Sequence, residues 1–206
     1  MLKHIRPAIV MILLMTAVTG VIYPFAVTGV AQAILPHQAN GSLVERDGRV
    51  VGSELIGQNF ASDRYFQGRP SATTAADPAD ATKTVPSPYN AANSVGSNAG
   101  PTSTTLIDRV QGQVAAYREG RGGSGPVPAD AVTTSASGLD PHVSPDNAAG
   151  QIGRVAKARG LPEQRLRELV TAATESRTLG FLGEPRVNIL SLNLALDREK
   201  SAVASR

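Results

Sequence analysis

Cysteine and tryptophan are absent from this 206-residue chain, aromatic residues make up 4% of it, and there are three histidines. The lack of cysteine excludes disulfides, a thiolate nucleophile and any cysteine-based zinc site. The scarcity of rings means that a core must be built from Leu, Val, Ile and Ala, for which a hydrophobic content of 41% is sufficient. Charge is missing over one long stretch, since no Asp, Glu, Lys or Arg occurs between Arg6 and Glu45. The formal net charge of +3 includes Lys3 and Arg6, so the chain beyond the uncharged stretch carries only +1. A body so close to neutral is a poor reader of phosphate backbones, and no nucleic-acid partner is expected.

The uncharged stretch itself is apolar. From Ala8 to Leu35 the chain is long enough to cross a bilayer, because about 20 mostly apolar residues in a helix span the roughly 30 Å hydrocarbon core. Pro24 predicts a kink or an exit, with Tyr23 beside it at headgroup depth. The rival is a secretory signal peptide, for which the basic head and Ala31-Gln32-Ala33 are suggestive, although its apolar region is ordinarily only about 7 to 15 residues. A cleaved, freely secreted binding protein would begin near Ile34. The favoured division is a short cytoplasmic N-terminus over 1–6, a transmembrane helix over 7–35 and a soluble extracytoplasmic domain over 36–206. Lys3 and Arg6 face Arg46 and Arg49 across the span, and the nearer basic pair places the N-terminus inside.

Beyond the span the patterns predict an α+β fold, a single mixed α/β domain. Arg49-Val50-Val51 reads as a short strand between turns at Asn40-Gly41-Ser42 and Gly52-Ser53. From Ser71 to Pro101 the chain is mostly Ala, Thr, Ser, Asn, Asp, Pro and Gly, a long solvated loop or one laid on a partner. A helix is expected over Thr102 to Tyr117, with Leu106, Ile107, Val110, Val114 and Tyr117 on one face. Gly120 to Gly125 should end it in a flexible turn. That segment formally fits G-x-G-x-x-G but comes after a helix instead of opening one. Ser144-Pro145-Asp146 opens a second helix, closed by Arg159-Gly160, and a third runs on from Pro162. Leu190, Leu192, Leu194 and Leu196 alternate with small or polar residues, so Arg186 to Leu196 reads as a strand with one buried face.

Chemistry is sparse. Phosphate-binding G-x-x-x-x-G-K-[ST] and nucleophile-elbow G-x-S-x-G motifs are missing. Asp77 with Asp80 is too thin a pair to hold a metal. His142 could act with Ser137 and Asp140, or with Ser135, as a membrane-anchored envelope hydrolase; the plainer reading of Ser135 to His142 is a structural turn. Gln151, Arg154, Lys157 and Arg159 lie on the second helix as a solvated face or as an anion or partner contact.

Seven phrases in order give the chain a resemblance. They are Gly20 to Pro24, Gly52 to Phe60, Tyr65 to Ala72, Tyr89-Asn90 with Ser94 to Pro101, Ser135 to Ser144, Gln151 to Gly160 and Gly183 to Asp197. Together they resemble the C subunit of the Kdp potassium-transporting P-type ATPase, with Ala99 and Ala136 as small departures. The resemblance implies an accessory, non-catalytic subunit in a bacterial inner membrane. Its partners would be a channel-like potassium-binding subunit, a catalytic P-type ATPase subunit and a small single-span subunit. It implies a catalytic chaperone that raises the ATP affinity of the catalytic subunit, with Gln151 as a nucleotide contact and Arg154 and Arg159 as phosphate partners. The phosphorylation motif Asp-Lys-Thr-Gly of such pumps is absent; Thr82-Lys83-Thr84 comes nearest, with Ala81 in the aspartate's place.

Overall fold

The computed structural model describes residues 2–121 and 125–204. The chain folds as two compact units, Met1–Ser53 and Glu54–Arg206. In the first unit a 30-residue apolar helix runs Ile5–Ile34 with none of its side chains buried. It comprises α1 (Ile5–Ala17), a π turn over Val18–Ile22 and α2 (Tyr23–Ile34). After the short α3 (Pro36–Ala39), β1 (Leu43–Arg46) pairs antiparallel with β2 (Arg49–Ser53). The expected turn at Gly52-Ser53 is the end of β2 instead. The reversal sits at Asp47-Gly48, where φ values of 52° and 71° match a two-residue hairpin turn.

The second unit is mixed α/β. Its helices are α4 (Thr104–Ala116), α5 (Ala129–Val132), α6 (Pro145–Arg159), α7 (Glu163–Ala172) and α8 (Ile189–Ala204). A small antiparallel sheet has the order β5-β7-β6, formed by His142–Val143, Arg186–Asn188 and Thr174–Glu175. The expected loop from Ser71 to Pro101 contains an antiparallel hairpin, β3 (Thr74–Ala76) with β4 (Thr84–Pro86). Lys83 lies at its tip, beside an Asp80 carboxylate that accepts from the Thr82 amide and hydroxyl. The turn expected at Gly120 to Gly125 falls partly outside the described residues; Tyr117–Arg121 form a π turn after α4.

Capping chemistry placed α6 correctly. Ser144 Oγ accepts from Asn147 N at 3.1 Å, and Gly160 is left-handed with φ 68°. The strand expected over Arg186 to Leu196 is a strand only as β7. From Ile189 the chain is helical, and the buried residues Ile189, Leu190, Leu192, Asn193 and Leu196 recur at helical spacing. The start of α8 is fixed by Asn188, whose Oδ1 accepts from Ser191 N at 3.1 Å, as an N-cap does. The main core joins Ile189, Leu192 and Leu196 to Val143, Ala148, Ile152, Val155, Ala156, Leu166, Val170 and Val187. One ring, Phe66, stands fully buried among them.

Candidate functional site

The face of α6 carrying Gln151, Arg154 and Arg159 does not point into solvent. With Asn193 of α8 it holds the irregular segment Asp63 to Gln67 by its backbone. Arg154 Nη1 donates to Asp63 O at 2.7 Å and Nη2 to Tyr65 O at 3.1 Å. Arg159 Nε donates to Arg64 O at 2.7 Å. Asn193 exchanges two bonds with Phe66, each 2.9 Å, and Gln151 exchanges two with Gln67, at 2.8 and 3.0 Å. Each carbonyl from residue 63 to 67 thus accepts from a side chain, as a sheet would have required from neighbouring strands.

Gln151 is 2% exposed, and its amide is fully committed. Beyond Gln67, its Oε1 accepts from Arg154 Nη2 at 2.8 Å and its Nε2 donates to Asn147 Oδ1 at 3.0 Å. Two donors and two acceptor positions are all that a primary amide has. Arg159 is held on three sides. Its Nη2 pairs with Asp197 Oδ1 at 2.9 Å, and its guanidinium carbon lies 4.6 Å over the Tyr65 ring. Tyr65 in turn donates to Asp197 Oδ2 at 3.3 Å. The structure therefore brings together the three residues expected to meet a nucleotide, with the Gln151 amide, the Arg154 Nη groups and the Arg159 guanidinium engaged within the chain. Sequence reading missed Asn193, whose signal is an amide set in a leucine-rich run.

A second constellation centres on Asp140. Its Oδ2 accepts from Arg69 Nη1 at 3.0 Å, while Oδ1 accepts from the His142 amide at 2.9 Å and lies 3.5 Å from His142 Nδ1. Burial alone would raise the Asp140 carboxyl, but the His142 side chain and amide together with the Arg69 guanidinium outweigh it and hold it below its ordinary range. A carboxyl with a depressed folded value stabilises the fold above the unfolded value of about 3.9, and that contribution fades as pH falls through the lower folded value. Asp140→Asn should accordingly flatten the fall in Tm below about pH 4, read by thermal unfolding across an acid series; an unchanged acid slope would refute the assignment.

Ser137 is not part of a triad with these groups. Its Oγ accepts from Leu139 N at 3.1 Å and lies 3.4 Å from Ser135 Oγ, and no hydrogen bond joins it to His142 among the described residues. The phrase is a turn, with Gly138 at φ 67° and its amide bonded to Ser135 Oγ at 2.9 Å. The polar segment after Ser71 is laid on this turn: Ser71 Oγ donates to Gly138 O at 2.8 Å and Val95 N to Ser137 O at 3.0 Å. An open depression of about 490 Å³ is lined by Arg69, Asp130, Asp140, His142 and Ser144. No group of three or more metal-binding side chains occurs among the described residues.

The clamped segment and the Ser-rich turn coincide with the sequence phrases that carried the resemblance, and comparison with known proteins decides the matter. The family model described as "K+-transporting ATPase, c chain" matches residues 5–198. The chain belongs to the KdpC family. It is 62% identical over 197 residues to the potassium-transporting ATPase KdpC subunit of Methylorubrum populi, covering 96% of this chain and 98% of that one. Against the Methylorubrum extorquens KdpC subunit the identity is 63% over 196 residues, covering 95% and 97%. Against that of Rhodopseudomonas palustris it is 62% over 200 residues, covering 97% and 100%. KdpC relatives therefore match this chain across both compact units.

Proposed function

We propose that this chain is a single-span accessory subunit of a bacterial ATP-driven potassium importer. In this reading residues 7–35 lie in the inner membrane, within the apolar helix Ile5–Ile34 and its exit, residues 1–6 are cytoplasmic, and 36–206 form the extracytoplasmic domain. Its partners are the potassium-binding channel-like subunit, the catalytic P-type ATPase subunit and the small single-span subunit. The observation that carries the proposal is the near end-to-end match to potassium-transporting ATPase KdpC subunits. An unburied apolar helix long enough to span supports the membrane part. The role is non-catalytic: the chain has no phosphorylation motif, and Ser137 serves a turn. It assists assembly and shapes the ion entrance, and any rise in the ATP affinity of the catalytic subunit is transmitted through subunit contacts.

Two experiments test this. Affinity purification of the tagged full chain in mild detergent should bring down the potassium-transporting ATPase in stoichiometric amount, and its absence would overturn the reading. Protease added to intact spheroplasts should cut the domain, whereas cutting only in inverted vesicles would place it in the cytoplasm.

A second reading keeps ATP in direct contact with Gln151, Arg154 and Arg159. It is favoured by the two guanidinium groups gathered at one clamp, where phosphate oxygens could replace the carbonyls of residues 63, 64 and 65 as acceptors. Equilibrium dialysis of the purified chain with labelled ATP separates the two readings. Saturable binding that is lost in Arg154→Lys supports direct contact, and no binding at millimolar ATP leaves the effect with the partner subunits.

A further inference from the structure

The long apolar helix contains a flaw that its own backbone does not repair. At the π turn, Tyr23 N donates to Val18 O, five residues back. The carbonyl of Thr19 could accept from residue 22 in a 3₁₀ register, from residue 23 in an α register or from residue 24 in a π register, and the π register of Val18–Ile22 directs Ile22 N to Ala17 O. Tyr23 N is taken by Val18, and Pro24 has no N–H. The Thr19 hydroxyl is no substitute donor, since it reaches back to Met15 O at 2.6 Å. Thr19 stands at the middle of the 30-residue helix, which runs on past Tyr23 and Pro24 to Ile34, so the headgroup depth expected for Tyr23 does not fit and lipid here offers neither water nor donors. Beside it the surface is open: a Cβ placed on Gly20 would meet only Thr16 Cγ2, at 3.9 Å.

From this geometry, and resting on the single-span reading, we infer that the notch formed by Thr16, Gly20 and Pro24 receives a transmembrane helix of a neighbouring subunit, which donates a side-chain hydrogen bond to the Thr19 carbonyl. A backbone carbonyl left unpaired in hydrocarbon costs several kcal/mol, so the position demands a donor, and the missing side chain at Gly20 lets another helix come close enough to supply one. The chemistry points away from a second copy of this chain. A parallel two-fold dimer crossing at Gly20 would bring the same two acceptors face to face, and the one hydroxyl on the notch, Thr16, lies about a turn toward the N-terminus, behind carbonyls that point toward the C-terminus. The occupant is a helix carrying a hydroxyl or amide side chain at mid-membrane depth.

The test uses the assembled complex in detergent. Pro24→Ala returns an N–H to the helix and removes the need for an outside donor; Gly20→Leu closes the notch; Ile22→Leu alters the opposite face. Retention of the chain by the complex through graded detergent washes should fall roughly three- to twentyfold for Pro24→Ala, the range of one interhelical hydrogen bond, and at least as far for Gly20→Leu, with Ile22→Leu unchanged. Undiminished retention of Pro24→Ala would overturn the donor, and undiminished retention of Gly20→Leu would overturn the docking face. A photo-crosslinker at position 16 that captured a second copy of this chain would also refute the inference. Wild-type chain found in the aqueous fraction would overturn the membrane reading itself, a result separate from any of these.

Discussion

Gln151→Ala should lower the unfolding free energy of the detergent-solubilised chain by about 3–5 kcal/mol, the range for a buried group whose partners are stranded. The residue is 2% exposed and bonds four groups at once: Gln67 N, Gln67 O, Arg154 Nη2 and Asn147 Oδ1. Truncation leaves a cavity in place of the amide and strips partners from two backbone groups in a segment that has no strand beside it. Each buried group left unsatisfied costs about 1–3 kcal/mol, and relaxation around the cavity recovers part of the total. At roughly 2–4 °C per kcal/mol for a chain of this size, Tm should fall by about 10 °C. Asn193→Ala, which strands Phe66 N and O from the other side, should lower it by a similar amount. The two residues hold adjacent positions of one segment, so the double variant should lose less than the sum. A Gln151→Ala protein with unchanged Tm would show that the clamp contributes little. If it then altered only the ATP dependence of the complex, the nucleotide reading would gain what the structural one lost.

How far the sequence revealed this site depends on the range of the interactions involved. The ends of α6 were legible because caps are local: Ser144, Pro145 and Gly160 each act within a few residues of themselves. The hairpin turn at Asp47-Gly48 carried an equally local signal that the Gly-Ser phrases on either side obscured. In α8, leucines at 190, 192, 194 and 196 imitate a strand, while the face that is buried uses Ile189, Leu190, Leu192, Asn193 and Leu196 and leaves Leu194 out. The deciding cue was Asn188, an N-cap read as one more polar residue of a strand. The clamp itself has no local signature. Its bonds join residues separated by 84 to 127 positions, and Gln151 looks the same in sequence whether it faces ATP, solvent or Gln67. Polarity in the segment after Ser71 was visible, but not its destination. Thr73, 1% exposed, donates to Ser87 O at 2.6 Å and accepts from Asn90 N at 3.1 Å, so small polar side chains do the work that apolar contacts do elsewhere.

The same segment yields the second large effect, at Gly68. Tyr89 adopts φ 61°, unusual for a bulky residue, and its hydroxyl donates to Arg69 O at 2.7 Å. This places the ring between two glycines. A Cβ on Gly68 would collide with the Tyr89 hydroxyl, and one on Gly57 with the edge of the ring and, at 2.9 Å, with Asp140 O. Overpacking of this kind costs about 1–3 kcal/mol where the neighbours can shift, and more where backbone blocks the way. Gly57→Ala should therefore destabilise more than Gly68→Ala, because Asp140 O belongs to the turn that Arg69 and His142 pin. Tyr89→Phe distinguishes the two positions. Without the hydroxyl, the closest contact at Gly68 becomes the ring carbon Cζ at 3.1 Å, tight but tolerable, whereas nothing at Gly57 changes. In the Tyr89→Phe background the penalty of Gly68→Ala should shrink by at least half while that of Gly57→Ala stays within about 0.5 kcal/mol of its original value, measured by denaturant unfolding of all six proteins. Equal penalties for Gly68→Ala in both backgrounds would mean that Tyr89 moves aside freely, and the glycines would then owe their place to something other than the ring.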